Sequence, residues 1–287
     1  MSLQTIPSRT VDRRALMRRS PLLISSVAVA LAFLFPFYWI FAQSMQSSKE
    51  FSLGQPRFWP RHPTLENYRD ILANDGFARA LANSFLVSVA VAAFTVTASC
   101  LAAFGLVRLI RRGKEAALGF FVLAGFFPMT AMLGPLFLLF RTTGLLDTFP
   151  AVILADLVYT LPLATWLLTS LFEQLPWELE EAARVDGCTR MQALRHVVVP
   201  IAAPALVTVA VLSFVLSWND FTFALSFLSS PQKYTAPLSM VFLGQSKYQI
   251  FYNRTDAAVV IITVPVALLV FLAQKRIVTG LTAGALK

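Results

Sequence analysis

Charge is what this sequence has least of. Only 14% of its 287 residues are Asp, Glu, Lys or Arg, against 57% hydrophobic, and the mean hydropathy is +0.67. A soluble domain carries roughly 25% charged residues, so composition excludes an ordinary water-soluble globule and points to a polytopic membrane protein. Cysteine is also scarce. Cys100 falls in a long apolar run and Cys188 in a charged segment far from it, so no disulfide is expected. A phosphate-cradling loop of the G-x-x-x-x-G-K-[ST] type is missing, since Gly113-Lys114 runs on into Glu115. The chain therefore does not bind ATP by that route, and any use of ATP must come through a partner. No internal repeat is visible, and no catalytic or metal-ligating set is expected.

What is present is a series of apolar runs. A transmembrane helix needs about 20 mostly apolar residues, and six runs qualify: 22–42, 84–107, 116–140, 149–172, 201–228 and 257–273. The first is longer than the apolar core of a signal peptide and reads as a retained anchor. The net charge of +9 would suggest a nucleic-acid binder if its placement were ignored, but fifteen of the 24 basic residues sit in alternate connections. They are Arg9, Arg13, Arg14, Arg18 and Arg19; Arg108, Arg111, Arg112 and Lys114; Arg184, Arg190 and Arg195; and Lys275, Arg276 and Lys287. The positive-inside rule puts those connections and both termini in the cytoplasm, and no nucleic acid is expected as a partner. The expected architecture is all-α: a basic cytoplasmic segment at 1–21, then a six-helix membrane domain at 22–287. Pro36, Pro128, Pro135, Pro162, Pro204 and Pro265 fall inside the spans, where neighbouring helices can re-satisfy the freed carbonyls. Outside, short helical patterns are expected at Leu65 to Leu72 and after Pro237, and Tyr248, Phe251 and Tyr252 read first as interface anchors.

The connection at 173–200 is the most specified polar segment. Pro176 suits a first helical position. Glu178, Glu180 and Glu181 lie at the positive end of the helix dipole and Arg184 at the negative end, with Glu180 and Arg184 spaced for an ion pair. Asp186-Gly187 stops the helix with a left-handed cap. Thr189 and Gln192 have capping-box spacing and open a second short helix, and Pro200 begins the next span. The segment reads as a two-helix knob on the cytoplasmic face, better capped than a mere connector requires, with small residues where another surface can approach.

Two acids, Asp156 and Asp220, fall within apolar runs, where charge is costly and suggests function. Trp218, Asn219 and Asp220 together offer an aromatic face, an amide and a carboxylate, a set suited to a sugar. Tyr159, Thr160 and Thr165 could line the same cavity. The other reading, that these acids cap or cross-link helices, stays open.

Glu181-Ala182-Ala183-x-x-Asp186-Gly187, with Pro200 after Val197-Val198-Val199, resembles the EAA loop of binding-protein-dependent ABC importer permeases. Phe35-Pro36-Phe37-Tyr38-Trp39, Pro63-Thr64-Leu65-Glu66-Asn67-Tyr68, Asn83-Ser84, Ser217-Trp218-Asn219-Asp220 and Gly280-Leu281-Thr282-Ala283-Gly284-Ala285 resemble the carbohydrate branch, in particular its maltose/trehalose-type second permease. Cys188 and Leu194 depart from the usual alanine and phenylalanine. The resemblance implies a type I ABC importer permease fold in the inner membrane of a prokaryote, beside a second homologous permease. It also implies an ATPase dimer holding ATP and Mg, and an extracytoplasmic sugar-binding protein. Glu181, Ala182, Ala183, Asp186 and Gly187 would then couple the ATPase to the spans, the tail from Gly280 to Lys287 could reach the ATPase, and no cofactor is expected on this chain. An ion-coupled secondary transporter and a non-transporting membrane scaffold are the alternatives.

Overall fold

In a computed structural model, which describes residues 13–52, 57–110, 112–243 and 252–283, the chain is helical, with no strand among those residues. In order the helices are α1 (Arg13–Ser44), α2 (Ser48–Ser52), α3 (Glu66–Leu72), α4 (Asp75–Arg108), α5 (Lys114–Gly125), α6 (Met129–Thr142), α7 (Phe149–Phe172), α8 (Glu178–Val185), α9 (Arg190–Ala193), α10 (Val199–Ile201), α11 (Ala203–Trp218), α12 (Thr222–Phe227), α13 (Ala236–Leu243) and α14 (Tyr252–Ala283). A π-helical turn, Leu194–Val198, joins α9 to α10.

Helices α4, α7 and α11 form the centre, with α14 against α11 and α1 against α14. Small hydroxyl side chains let α4 and α7 approach closely, and the Thr95 and Thr160 hydroxyls share a buried hydrogen bond of 2.8 Å. Four helices carry stretches long and apolar enough to cross a membrane: Leu23–Ser44, Asp75–Arg108, Phe149–Phe172 and Tyr252–Arg276. Two further bent pairs reach that length together.

Two of the six expected spans are broken. The run at 116–140 is not one helix: α5 and α6 meet at an elbow of 92°. Pro128 takes an extended conformation there, and its ring disfavours helical backbone in the residue before it. The run at 201–228 is also interrupted. Its long helix begins at Ala203 rather than Pro200, after an 80° bend from the Arg190–Ile201 segment, and stops at Trp218 before a short break and α12. The last run, 257–273, lies within α14, which extends past it at both ends, from Tyr252 to Ala283. The two short helices expected at Leu65 to Leu72 and after Pro237 appear as α3 and α13, close to those positions. Tyr248 and Phe251 lie outside the described residues.

Buried amides tie distant segments together. Asn67 Nδ2 donates to the Ser44 and Gln46 carbonyls at 2.8 and 2.9 Å. Asn253 Nδ2 donates to Asn67 Oδ1 at 3.1 Å and to the Gln46 carbonyl at 3.2 Å. This hub joins the C-terminal end of α1, α3 and the start of α14.

Candidate functional site

The knob is built from local signals and one distant one. Gly187 adopts φ +92°, open space surrounds its α-carbon, and the Gly187 and Cys188 amides donate back to Arg184 and Ala183. A left-handed glycine closing a helix in this way is the expected stop. The capping box is formed too. Gln192 N donates to Thr189 Oγ1 at 3.3 Å, and Thr189 N donates to Gln192 Oε1 at 2.8 Å. Pro176 lies two residues before α8, not at its first position, because Trp177 serves as the cap residue.

The expected Glu180 to Arg184 pair gives way to a more distant partner in sequence. Glu180 is buried and meets Arg108, at the end of α4, at 3.2 Å. The same guanidinium donates to the Leu175 carbonyl at 3.0 Å. Arg108 thus holds both the entry to α8 and its inner face. Below, Leu194, Val198 and Ala202 pack into a core with Phe104, Leu168 and Phe172. One face of the knob is therefore fixed to α4, α7 and α11.

Among the described residues nothing covers the opposite face. Glu181, Ala182, Asp186 and Gly187 are exposed and Ala183 is half-buried. Val185 is 87% exposed and Met191 59% exposed. Glu181 makes no side-chain hydrogen bond or ion pair among the described residues. Acids, small residues and two bare apolar side chains form a surface with shape and charge but no partner.

The polar set in the apolar runs is arranged differently. Ser217 Oγ donates to Asp156 Oδ2 at 2.6 Å, linking α11 to α7. Asp220 caps α12, accepting from Phe223 N at 3.1 Å and Ala224 N at 2.9 Å. Trp218 is 2% exposed and stacks on Phe214 at 5.5 Å. Asn219 Nδ2 donates back to the Val215 carbonyl at 2.7 Å. The indole face and the Asp220 carboxylate are therefore buried, not presented to a cavity. Tyr159 lies elsewhere, in an apolar cavity of about 330 Å³ between α5 and α7, with Phe121, Phe126 and Trp166 among its walls. Gly125 opens this space, its α-carbon facing Pro162.

A further polar site, on the external side in the expected topology, has no single sequence signature. Asp147, at φ 57°, accepts from the Ser229 and Ser230 amides at 2.9 Å each and from the Ser230 hydroxyl, and pairs with Lys233 at 3.0 Å. These contacts, the Ser230 hydroxyl foremost, hold its carboxyl well below the usual carboxylate range.

The family model described as "Binding-protein-dependent transport system inner membrane component" matches residues 95–282. The chain belongs to that family. It is therefore an inner-membrane transport component and not an enzyme. This family member is 38% identical over 255 residues to the trehalose transport system permease protein SugB of Mycobacterium tuberculosis, covering 88% of this chain and 92% of that one. It is 39% identical over 254 residues to the sulfoquinovosyl glycerol transport system permease protein SmoH of Agrobacterium fabrum, covering 88% and 89%. The crystal structure of a bacterial ABC transporter involved in importing the acidic polysaccharide alginate contains a chain with a TM-score of 0.74 and 25% identity, covering 95% of this chain and 99% of that one. The fold is that of a type I ABC importer permease.

Proposed function

We propose that this permease is one of two homologous transmembrane subunits in an ATP-driven importer that moves a di- or oligosaccharide, such as maltose or trehalose, delivered by an extracytoplasmic binding protein. The relatives named for trehalose and sulfoquinovosyl glycerol transport, and the alginate importer, support a sugar-like cargo and differ in which one. Six spans with both termini cytoplasmic put the 173–200 knob on the inner face, where a separate ATPase dimer carrying ATP and Mg docks. The carrying observation is the two-sidedness of that knob: Arg108 and the apolar core lock its inner face to three central helices, while Glu181 and Val185 are exposed, and Glu181 has no partner among the described residues. A push on the outward face is thereby transmitted to α4, α7 and α11. Glu181, Ala182, Ala183, Asp186 and Gly187 form the coupling surface.

For the pathway, Tyr159 and Asn219 are the side chains best placed to meet cargo. Asp156, Trp218 and Asp220 keep the α7, α11 and α12 framework in shape.

The test is a reconstituted complex of both permeases, ATPase and binding protein. Binding-protein-stimulated ATP hydrolysis and sugar uptake are expected together, and Glu181→Lys is expected to abolish uptake while the permease pair still assembles. Normal uptake with Glu181→Lys sinks the coupling assignment. The ligand recovered from the binding protein identifies the sugar.

A further inference from the structure

α1 poses a problem of depth. Its apolar stretch runs to Ser44, yet its last turn enters a polar hub: Ala42, Gln43 and Ser44 are buried, and Ser44 and Gln46 carbonyls accept from Asn67. Before that turn, from Leu23 to Tyr38, the helix is exposed throughout. A strap of non-helical backbone, residues 57–62, folds back along this exposed part. Tyr38 Oη donates to the Phe58 carbonyl at 2.7 Å, and Gln43 Nε2 donates to the Arg57 carbonyl at 3.0 Å. Trp39 meets Phe58 edge-on at 5.8 Å, Tyr38 stacks with Trp59 at 6.5 Å, and Phe35 lies 6.5 Å from Phe58. Phe58 is still 70% exposed and Trp59 48% exposed.

Irregular backbone on a lipid-facing surface is not tolerated within the hydrocarbon. The strap therefore marks where the hydrocarbon ends. Amphipathic aromatic rings settle at the headgroup level, and Arg57 and Arg61 flank these rings in sequence. Two distances agree. Arg18 stands twenty positions before Tyr38. That is about 30 Å of helix, the thickness of a hydrocarbon core. On α14, which packs on α1, Asn253 sits at hub level with Gln46. Moving down α14 by the same one and a half turns or so that separate Ser44 from Tyr38 reaches Val259 and leaves Asp256, Arg254 and the exposed Arg254–Asp70 pair outside the hydrocarbon. A boundary at Ser44 would instead place those charges close to lipid chains.

We infer that the aromatic strap, Phe58 and Trp59 on Phe35, Tyr38 and Trp39, is a lipid-contacting clasp seated at the membrane interface, and that α1 leaves the hydrocarbon near Tyr38 rather than at Ser44. Its partner is the headgroup and carbonyl layer of the leaflet nearer the C-terminal end of α1. The inference does not depend on the cargo or on which leaflet that is.

The experiment uses the complete importer in lipid nanodiscs, with Cys100 and Cys188 replaced by serine and one nitroxide label at Phe58→Cys. Val29→Cys supplies the deep reference and Glu66→Cys the aqueous one. The ratio of oxygen collisions to nickel-chelate collisions at position 58 is expected between the two references. A ratio equal to that of Glu66→Cys means the strap stands in water, and shielding from both reagents means that the second permease or the binding protein covers it. Either result overturns the clasp. If Phe58→Cys fails to assemble, Trp59→Phe serves instead: lipids brominated near the carbonyls are expected to quench the wild-type emission more than those brominated at the chain end, with the excess lost in Trp59→Phe. Equal quenching before and after the substitution overturns the inference.

Discussion

Glu181 and Asp220 are both carboxylates near a helix end, and they have opposite fates. Asp220 lies in an apolar span, is buried, and accepts from two amides that the break after Trp218 would otherwise orphan. Glu181 lies on the knob, is exposed, and has no partner among the described residues. In an apolar interior a charge persists only when local donors satisfy it, so an acid there becomes part of the architecture. At a polar surface an acid can stay unmatched, and it is then available to another molecule. Substitution at Glu181 should therefore damage coupling and spare stability, and substitution at Asp220 should do the reverse.

The largest expected effect breaks this contrast at the knob. Glu181→Lys places a like charge where the coupling reading requires a basic partner, a mismatch worth several kcal/mol. Uptake should fall to background while the melting temperature of the purified complex stays unchanged. A parallel loss of thermal stability would show that Glu181 is structural after all. At Asp220 the expected order is reversed. Asp220→Ala leaves two buried amides without an acceptor, about 2–4 kcal/mol of stability, and Asp220→Asn restores part of it. Thermal unfolding of the two variants measures this; equal stability of Asp220→Ala and wild type would return the carboxylate to the list of cargo ligands.

Arg108 sharpens the same comparison from the inner side of the knob. Arg108→Ala strips a mostly buried Glu180 of its counter-charge and the Leu175 carbonyl of a donor, with an expected loss of about 1–3 kcal/mol. Because it loosens the knob from α4, ATP hydrolysis should persist with less sugar moved per ATP. Arg108→Ala with Glu180→Ala should be less unstable than Arg108→Ala alone, since no buried charge is then stranded. At Gly187, Gly187→Ala should cost about 1 kcal/mol and Gly187→Asn less, because asparagine tolerates the left-handed backbone. With open space around the α-carbon, any larger cost must come from the docked partner, which a comparison of the isolated permease with the assembled complex reveals.

Much of this was readable from the residues. The glycine stop at Gly187 and the Thr189–Gln192 box are interactions across three or four residues, so spacing alone specifies them. The apolar runs mark the segments long and apolar enough to cross a membrane. What spacing could not supply was any partner far along the chain. Glu180 has Arg184 one turn away, yet pairs with Arg108, whose charge reads from sequence as topology only. Asn67 and Asn253 look unremarkable apart and meet only because α1, α3 and α14 converge. Pro128 signals a bend, but the 92° elbow also depends on how α5 packs on α7. The Trp218, Asn219 and Asp220 set was visible as chemistry. Its burial was not, because that depends on the helix stopping at Trp218.

Asp147 gives the smallest predicted effect and a test on the external side. Unlike Glu181 it is held by several donors, and unlike Asp220 it takes them from a distant loop, Ser229, Ser230 and Lys233. Its carboxyl is shifted down, so the folded state favours the charged form. An unfolded aspartate titrates near pH ~3.9. The stabilisation is therefore complete above that value and is lost as pH falls through the lower folded-state value. Asp147→Asn keeps the tolerance for positive φ and one acceptor but removes the charge, with an expected loss of about 1 kcal/mol at neutral pH. Melting temperatures of the two proteins should differ by a constant amount from pH 7 to about pH 5 and converge below about pH 4. A difference that widens with acid would mean that the carboxyl is protonated more easily in the folded chain, which the four donors around it forbid.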